Sequence, residues 1–126
     1  MKKLLVLLFS ILISLNSYGQ LVKVTEDNNG GVYYIYTDTI KEHDGYIYWW
    51  ELSDFLTPFS SEYISAKAYK KGVCEIKVQN LLYIYYYESM GKGKSENYRP
   101  DNPKWNYPSP DSINEGLMSF ACDYVK

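Results

Sequence analysis

A single histidine limits what this sequence can catalyse. His43 lies between Glu42 and Asp44, and one imidazole beside two carboxylates is the beginning of a weak surface metal site. A working metal site needs ligands held rigidly by a second layer of partners, which side chains in an apparent turn do not offer. The same histidine would have to serve any Ser-His-Asp or Cys-His nucleophile, and no flanking motif orients it for that. Paired carboxylates are the other route to hydrolysis, with Glu51 and Asp54 the nearest pair. Their spacing is commonplace, and so small a domain rarely encloses a deep saccharide cleft. Gly91-Lys92-Gly93-Lys94 has some features of a phosphate loop. It lacks the Gly-x-x-x-x-Gly-Lys-Ser/Thr spacing and a following helix whose N-terminus would face the anion. The expectation is a non-enzymatic protein using no metal and no cofactor.

Two residue types remain with something to contribute. Cys74 and Cys122 are the only cysteines, and an even count in a chain bound for an oxidising compartment reads as a disulfide. No Cys-x-x-Cys motif points to a redox pair. The 15 tyrosines cluster in runs, with Tyr83, Tyr85, Tyr86 and Tyr87 placing rings on both sides of one segment. Exposed tyrosines make good protein or glycan contacts, since each offers a large rigid surface and a hydroxyl. Tyrosine is equally a favoured strand residue that keeps its hydroxyl wet at the margin of a core.

The elements that must position these residues are mostly strands. Val32-Tyr33-Tyr34-Ile35-Tyr36-Thr37 and Tyr46-Ile47-Tyr48-Trp49-Trp50 are β-branched and aromatic, and the intervening His43-Asp44-Gly45 supplies a tight hairpin turn. From Tyr63 to Lys70 the residues alternate. Tyr63, Ser65, Lys67 and Tyr69 are expected on one face, and Ile64, Ala66 and Ala68 on the other. Lys71-Gly72 is expected to turn into a short strand around Cys74 to Val78, with a further strand over Leu81 to Glu88. Gly91-Lys92-Gly93 marks a break or bulge. Residues 99–110 hold four of the five prolines and read as an ordered loop pinned by Trp105. Ser112-Ile113-Asn114-Glu115 has the capping-box form of a helix start. At about 100° per residue, Ile113, Leu117, Phe120, Ala121 and Tyr124 then share one face, with Cys122 at its border. A Cys74–Cys122 bond would staple that helix to the sheet.

Residues 1–19 have the form of a cleavable export signal. Lys2 and Lys3 precede an apolar run from Leu4 to Leu15, and Ser17-Tyr18-Gly19 suits the peptidase. The run is shorter than the roughly 20 residues that span a bilayer. Residues 20–126 then form one domain with a modest core. Without Lys2 and Lys3 the domain has 11 basic and 15 acidic side chains, a formal charge of −4. A weakly acidic domain with no basic cluster is poorly suited to nucleic acid or anionic membranes, and no second apolar run could span a membrane.

Several landmarks occur together in one known family. They are Asp38-Thr39-Ile40-Lys41, Gly45 before a strand bearing Trp50, and Tyr63-Ile64-Ser65 ahead of Cys74. Met90-Gly91-Lys92-Gly93, Trp105, Pro110-Asp111-Ser112-Ile113-Asn114-Glu115 and Cys122 follow in order. From about Tyr33 onward the chain resembles the surface-adhesin protein E family. That resemblance implies an antiparallel sheet packed on a C-terminal helix, with one disulfide. For the best-known member it implies a surface protein that binds host extracellular-matrix and serum proteins.

The expected architecture is therefore α+β: an antiparallel sheet of about five or six strands against one C-terminal helix, closed by Cys74–Cys122. The expected role is an exported binding module for protein ligands, at the cell surface or secreted. The alternative is a periplasmic or envelope-associated structural protein. Within the stretch from Gly91 to Pro108, which carries Lys92 and Lys94 besides, the binding residues are expected to be Tyr98, Arg99 and Trp105.

Overall fold

A computed structural model describes residues 20–55 and 63–125, so the expected export signal lies outside the described residues. Among the described residues seven antiparallel strands form a single sheet. They are β1 (Leu21–Glu26), β2 (Val32–Tyr36), β3 (Lys41–His43), β4 (Tyr46–Asp54), β5 (Ser65–Val73), β6 (Val78–Ser89) and β7 (Lys92–Tyr98). Their order across the sheet is β1-β2-β4-β5-β6-β7, with β3 continuing the β2 position beside β4. A helix, α1 (Ile113–Tyr124), follows. Cys74 and Cys122 are joined, with Cα atoms 5.9 Å apart. Closing a loop of about 49 residues contributes about 4 kcal/mol in the chain-entropy account.

The turns explain the order. Between β1 and β2, Asp27 Oδ1 accepts the Asn29 and Gly31 backbone N–H groups at 2.9 and 2.8 Å, and Oδ2 accepts the Tyr33 hydroxyl at 2.8 Å. A side chain thereby imitates the backbone of the turn. Asp44 and Gly45 have φ values of 53° and 83°, the left-handed pair a two-residue hairpin turn requires. Its first arm is the short β3 rather than the segment beginning at Val32. A single 3₁₀ turn, Thr37–Thr39, separates the two. Thr39 bridges the interruption: its hydroxyl donates to the Tyr36 carbonyl at 2.6 Å and accepts the Trp50 N–H at 3.0 Å.

Two turns differ from expectation. The chain does not turn at Lys71-Gly72, because β5 runs on to Val73 and the turn falls at 74–77. Gly72 is instead the point of closest approach to the helix. A methyl group there would come within 3.1 Å of Met118 Cε and 3.2 Å of Trp49 Cζ3. The glycines at 91 and 93, with φ of 66° and 82°, open a hairpin into β7, a strand absent from the expected set, as β1 was. Beyond β7 the prolines interrupt pairing, and the chain rejoins β6 where Asn106 and Gln79 exchange backbone hydrogen bonds, both 2.9 Å. The 99–110 segment is therefore an ordered loop, as expected.

The core lies between α1 and one face of the sheet. It contains Ile35, Ile40, Ile47, Trp49, Leu117, Met118 and Ala121, edged by Val24, Ile113, Phe120 and the disulfide. Ser112 caps the helix, its hydroxyl accepting the Glu115 N–H at 3.1 Å. The Ser112 N–H goes to the Ser109 carbonyl, so only the serine half of the capping box forms. The buried helical face is rotated from the expected one. Met118 is buried and Tyr124 is exposed. Among the described residues no helix is long and apolar enough to cross a membrane.

Candidate functional site

Alternation along β4 sends Ile47, Trp49 and Glu51 toward the helix and Tyr46, Tyr48 and Trp50 to the opposite face. Register then aligns the neighbours of that second face. Trp50 pairs with Tyr69, and Tyr69 in turn with Tyr83, while Lys67 pairs with Tyr85 and Ser65 with Tyr87. The open face of the sheet is thus covered with rings from β2, β4, β5 and β6.

These rings lie on one another. Trp50 stacks on Tyr69 at 4.9 Å between centroids, Tyr48 on Tyr69 at 6.1 Å, and Tyr69 on Tyr83 at 6.2 Å. Trp50 and Tyr85 meet at 5.8 Å with planes tilted by 36°. Cations are set between the rings. Lys67 Nζ lies 5.5 Å from the Tyr36 centroid and 5.2 Å from that of Tyr87. Lys71 Nζ is 3.9 Å from the Tyr46 centroid and 5.9 Å from that of Trp105. Such contacts hold an ammonium against the negative faces of the rings. Among the described residues neither lysine forms an ion pair. Burial pushes the Tyr36, Tyr69 and Tyr87 phenols above their ordinary range, with nearby phenols adding to the effect. At neutral pH they are hydrogen-bond donors, as ordinary phenols are.

A shallow, mostly apolar hollow of about 340 Å³ opens in this face, lined by Tyr36, Thr39, Trp50, Lys67, Tyr85 and Tyr87. The β6–β7 turn bounds it. Ser65 Oγ donates to the Ser89 carbonyl at 2.6 Å and accepts the Gly91 N–H at 2.9 Å, which holds the turn down. A methyl on Gly91 would lie 3.1 Å from Lys67 Cε, so the turn backs directly onto the lysine stem.

Comparison with known proteins agrees with this architecture. A sequence model of the surface-adhesin protein E family matches residues 21–123. The chain belongs to the surface-adhesin protein E family. Solved structures of family fold include Haemophilus influenzae protein E in crystal form II, at 16% identity and a TM-score of 0.65, covering 86% of this chain and 91% of that one. A second Haemophilus influenzae protein E structure gives 15% identity and 0.62, over 84% and 85% of the two chains. Protein E from non-typeable Haemophilus influenzae gives 14% and 0.58, over 86% and 78%. No curated protein matches the sequence.

Set on the protein E fold, the expected binding residues separate. Arg99 lies over the Tyr83 ring, 4.9 Å from its centroid, and Trp105 stacks on Tyr46 at 5.9 Å. Both extend the aromatic face. Tyr98 pairs with Ile84 on the helix side of the sheet, where it is exposed and adds to the raised pKa of Tyr86. Lys67, Lys71 and Trp50 were not among the expected binding residues. The available signal was the alternation of Lys67, Tyr69 and Lys71 in one strand.

The other groups weighed from sequence stand apart. His43 Nε2 is 3.2 Å from Asp44 Oδ2, with both side chains exposed. Glu51 is buried, accepting Trp49 Nε1–H at 2.9 Å and facing Lys70 Nζ at 3.3 Å. Asp54, three residues along the strand, projects from the opposite face, so the two carboxylates cannot share a substrate. Among the described residues no cluster of three or more His, Cys, Asp or Glu side chains could hold a metal ion.

Proposed function

We propose that this chain is an exported, non-enzymatic binding module of the surface-adhesin type, acting at the cell surface or in secreted form. Its ligands are proteins, in the first place extracellular-matrix or serum proteins, and its contact surface is the open face of the sheet. The observation that carries this reading is the ring-covered face itself, with Lys67, Lys71 and Arg99 set among the rings. Aromatic and arginine side chains are enriched where binding energy concentrates. Membership of the surface-adhesin protein E family supports the same reading.

The test has two parts. Protease treatment of intact cells should release peptides of this protein, and complete protection would favour an envelope-resident structural role. A binding panel of matrix and serum proteins should then retain the purified domain. Arg99→Ala and Trp105→Ala should each weaken capture about tenfold or more, as loss of a contact worth more than 1.4 kcal/mol does. Tyr98→Ala separates a ligand that wraps the β7 edge, which would lose affinity, from one confined to the open face. Unchanged capture by the Arg99 and Trp105 variants would remove this surface from consideration.

A further inference from the structure

We propose that the hollow around Lys67 binds an acidic sugar residue, the carboxylate-bearing pyranose of an anionic glycan. This rests on the reading that the open face is the ligand surface, and it names the chemistry of one site on it. Three features decide the class of ligand.

The first is an uncompensated cation. Lys67 is half-buried, its Nζ flanked by the Tyr36 and Tyr87 rings at 5.5 and 5.2 Å, and it has no ion pair among the described residues. A ring face attracts an ammonium but neutralises no charge. An anion entering the hollow completes the set, and partial burial strengthens that attraction over its value in water. Asp38, exposed beyond Tyr36, is close enough to raise the Tyr36 phenol, but it forms no ion pair with Lys67.

The second is the walls. Trp50 and Tyr85, which meet at 5.8 Å with planes tilted by 36°, both line the hollow. A bare phosphate or sulfate would leave them unfilled. A pyranose places its C–H faces, which carry partial positive charge, against the negative faces of the rings. The third is the rim. The Tyr36 and Tyr87 phenols, protonated at neutral pH like any phenol and more so for the upward push of burial, can donate to sugar hydroxyls or the carboxylate. Thr39 adds little, since its hydroxyl already serves the Tyr36 carbonyl and the Trp50 N–H. At about 340 Å³ the hollow is at the small end of the ~300–1,000 Å³ range of ligand pockets, suited to one or two rings.

The acid could be a uronate within a polysaccharide or a sialic acid at the end of a glycoprotein chain. Titration of the purified domain separates these sources. The probes are a glucuronate-containing tetrasaccharide, sialyllactose, a neutral tetrasaccharide and hexaglutamate, followed by tryptophan fluorescence and calorimetry. One of the two acidic saccharides should bind at least tenfold more tightly than the neutral one and than hexaglutamate. Lys67→Gln should abolish that preference, and Lys67→Arg should restore most of it. Lys77→Gln, an equal charge change at the turn preceding β6, should leave it intact. Thermal melts establish that each variant is folded.

Equal binding of neutral and acidic sugars, or undiminished preference in Lys67→Gln, overturns the proposal. So does hexaglutamate binding as well as the sugars, since the hollow would then select charge alone. Matrix proteins stripped of glycans keep the two readings apart. If they are captured as before while no saccharide binds, the sugar site fails and the binding module stands. If neither is captured, both fail.

Discussion

At the scale of single residues, the buried pair Glu51–Lys70 is the feature with most to test. Glu51 and Lys70 are 4% and 8% exposed, and Lys70 Nζ also donates to Asn114 Oδ1 in α1 at 3.0 Å. A chain of polar contacts thus runs from Trp49 through two strands into the helix. Removing one member leaves the other charged in a dry place, which typically costs about 3–5 kcal/mol. Lys70→Met should therefore lower unfolding free energy in urea by about that much. The double variant Glu51→Gln with Lys70→Met should recover much of the loss, since glutamine keeps an acceptor for Trp49 without the charge. Equal stabilities for single and double variants would mean that water reaches the carboxylate. None of this was legible from composition. Glu51 reads as ordinary surface charge until the parity of β4 and the partner across β5 are known. Tyr98, Arg99 and Trp105 show the same limit, because sequence proximity placed them together and the register of β7 divides them.

At the scale of elements, legibility followed chemistry. The strands now seen as β2, β4 and β6 are rich in Val, Ile, Tyr and Trp, and β5 alternates regularly from Ser65, so the sequence announces all four. β7 reads Lys-Gly-Lys-Ser-Glu-Asn-Tyr and has no apolar period to find. It exists because β6 is long and offers its outer backbone groups, which a polar strand satisfies as well as an apolar one. Charged, glycine-bearing composition is also how natural sheets keep an edge from pairing with strangers. The helix start was readable from its serine cap, but its buried face was displaced toward Met118, because the helix must also bring Cys122 over Cys74. Leu117 is 1% exposed and Tyr124 54%. Leu117→Ala should cost about 2–5 kcal/mol, as buried leucine truncations do. Tyr124→Ala should stay within about half a kilocalorie, the range of unremarkable surface changes. A loss at Tyr124 as large as that at Leu117 in chemical denaturation would place the helix in the register first expected from its spacing.

At the scale of the whole molecule, the phenols and one turn carboxylate set the pH range of stability. The Tyr33 phenol is pushed up to about 12, by burial first and then by its hydrogen bond to Asp27 and that group's charge. Tyr36, Tyr69, Tyr86 and Tyr87 are raised too, each chiefly by burial. A phenol that ionises later in the folded protein stabilises it fully below the ordinary value near 10, and this contribution is lost as pH climbs through the folded value. Asp27 runs the other way. The Tyr33 hydroxyl and the Gly31 N–H hold its carboxyl below the usual carboxylate range, so its contribution is present above about pH 4 and lost as pH falls. Melting temperatures should therefore decline above pH 10, together with a late, cooperative rise in phenolate absorbance. Phenolate appearing smoothly near pH 10 while the fold persists would contradict this.

The stacked rings of the open face have one more consequence. Each is already confined by its neighbours before any ligand arrives, so little side-chain freedom is left for association to remove. Ordering a mobile side chain at an interface typically costs about 0.5–1.5 kcal/mol. A face whose rings have met that cost during folding can hold a partner with few contacts, and its complexes should differ more in how slowly they separate than in how quickly they form.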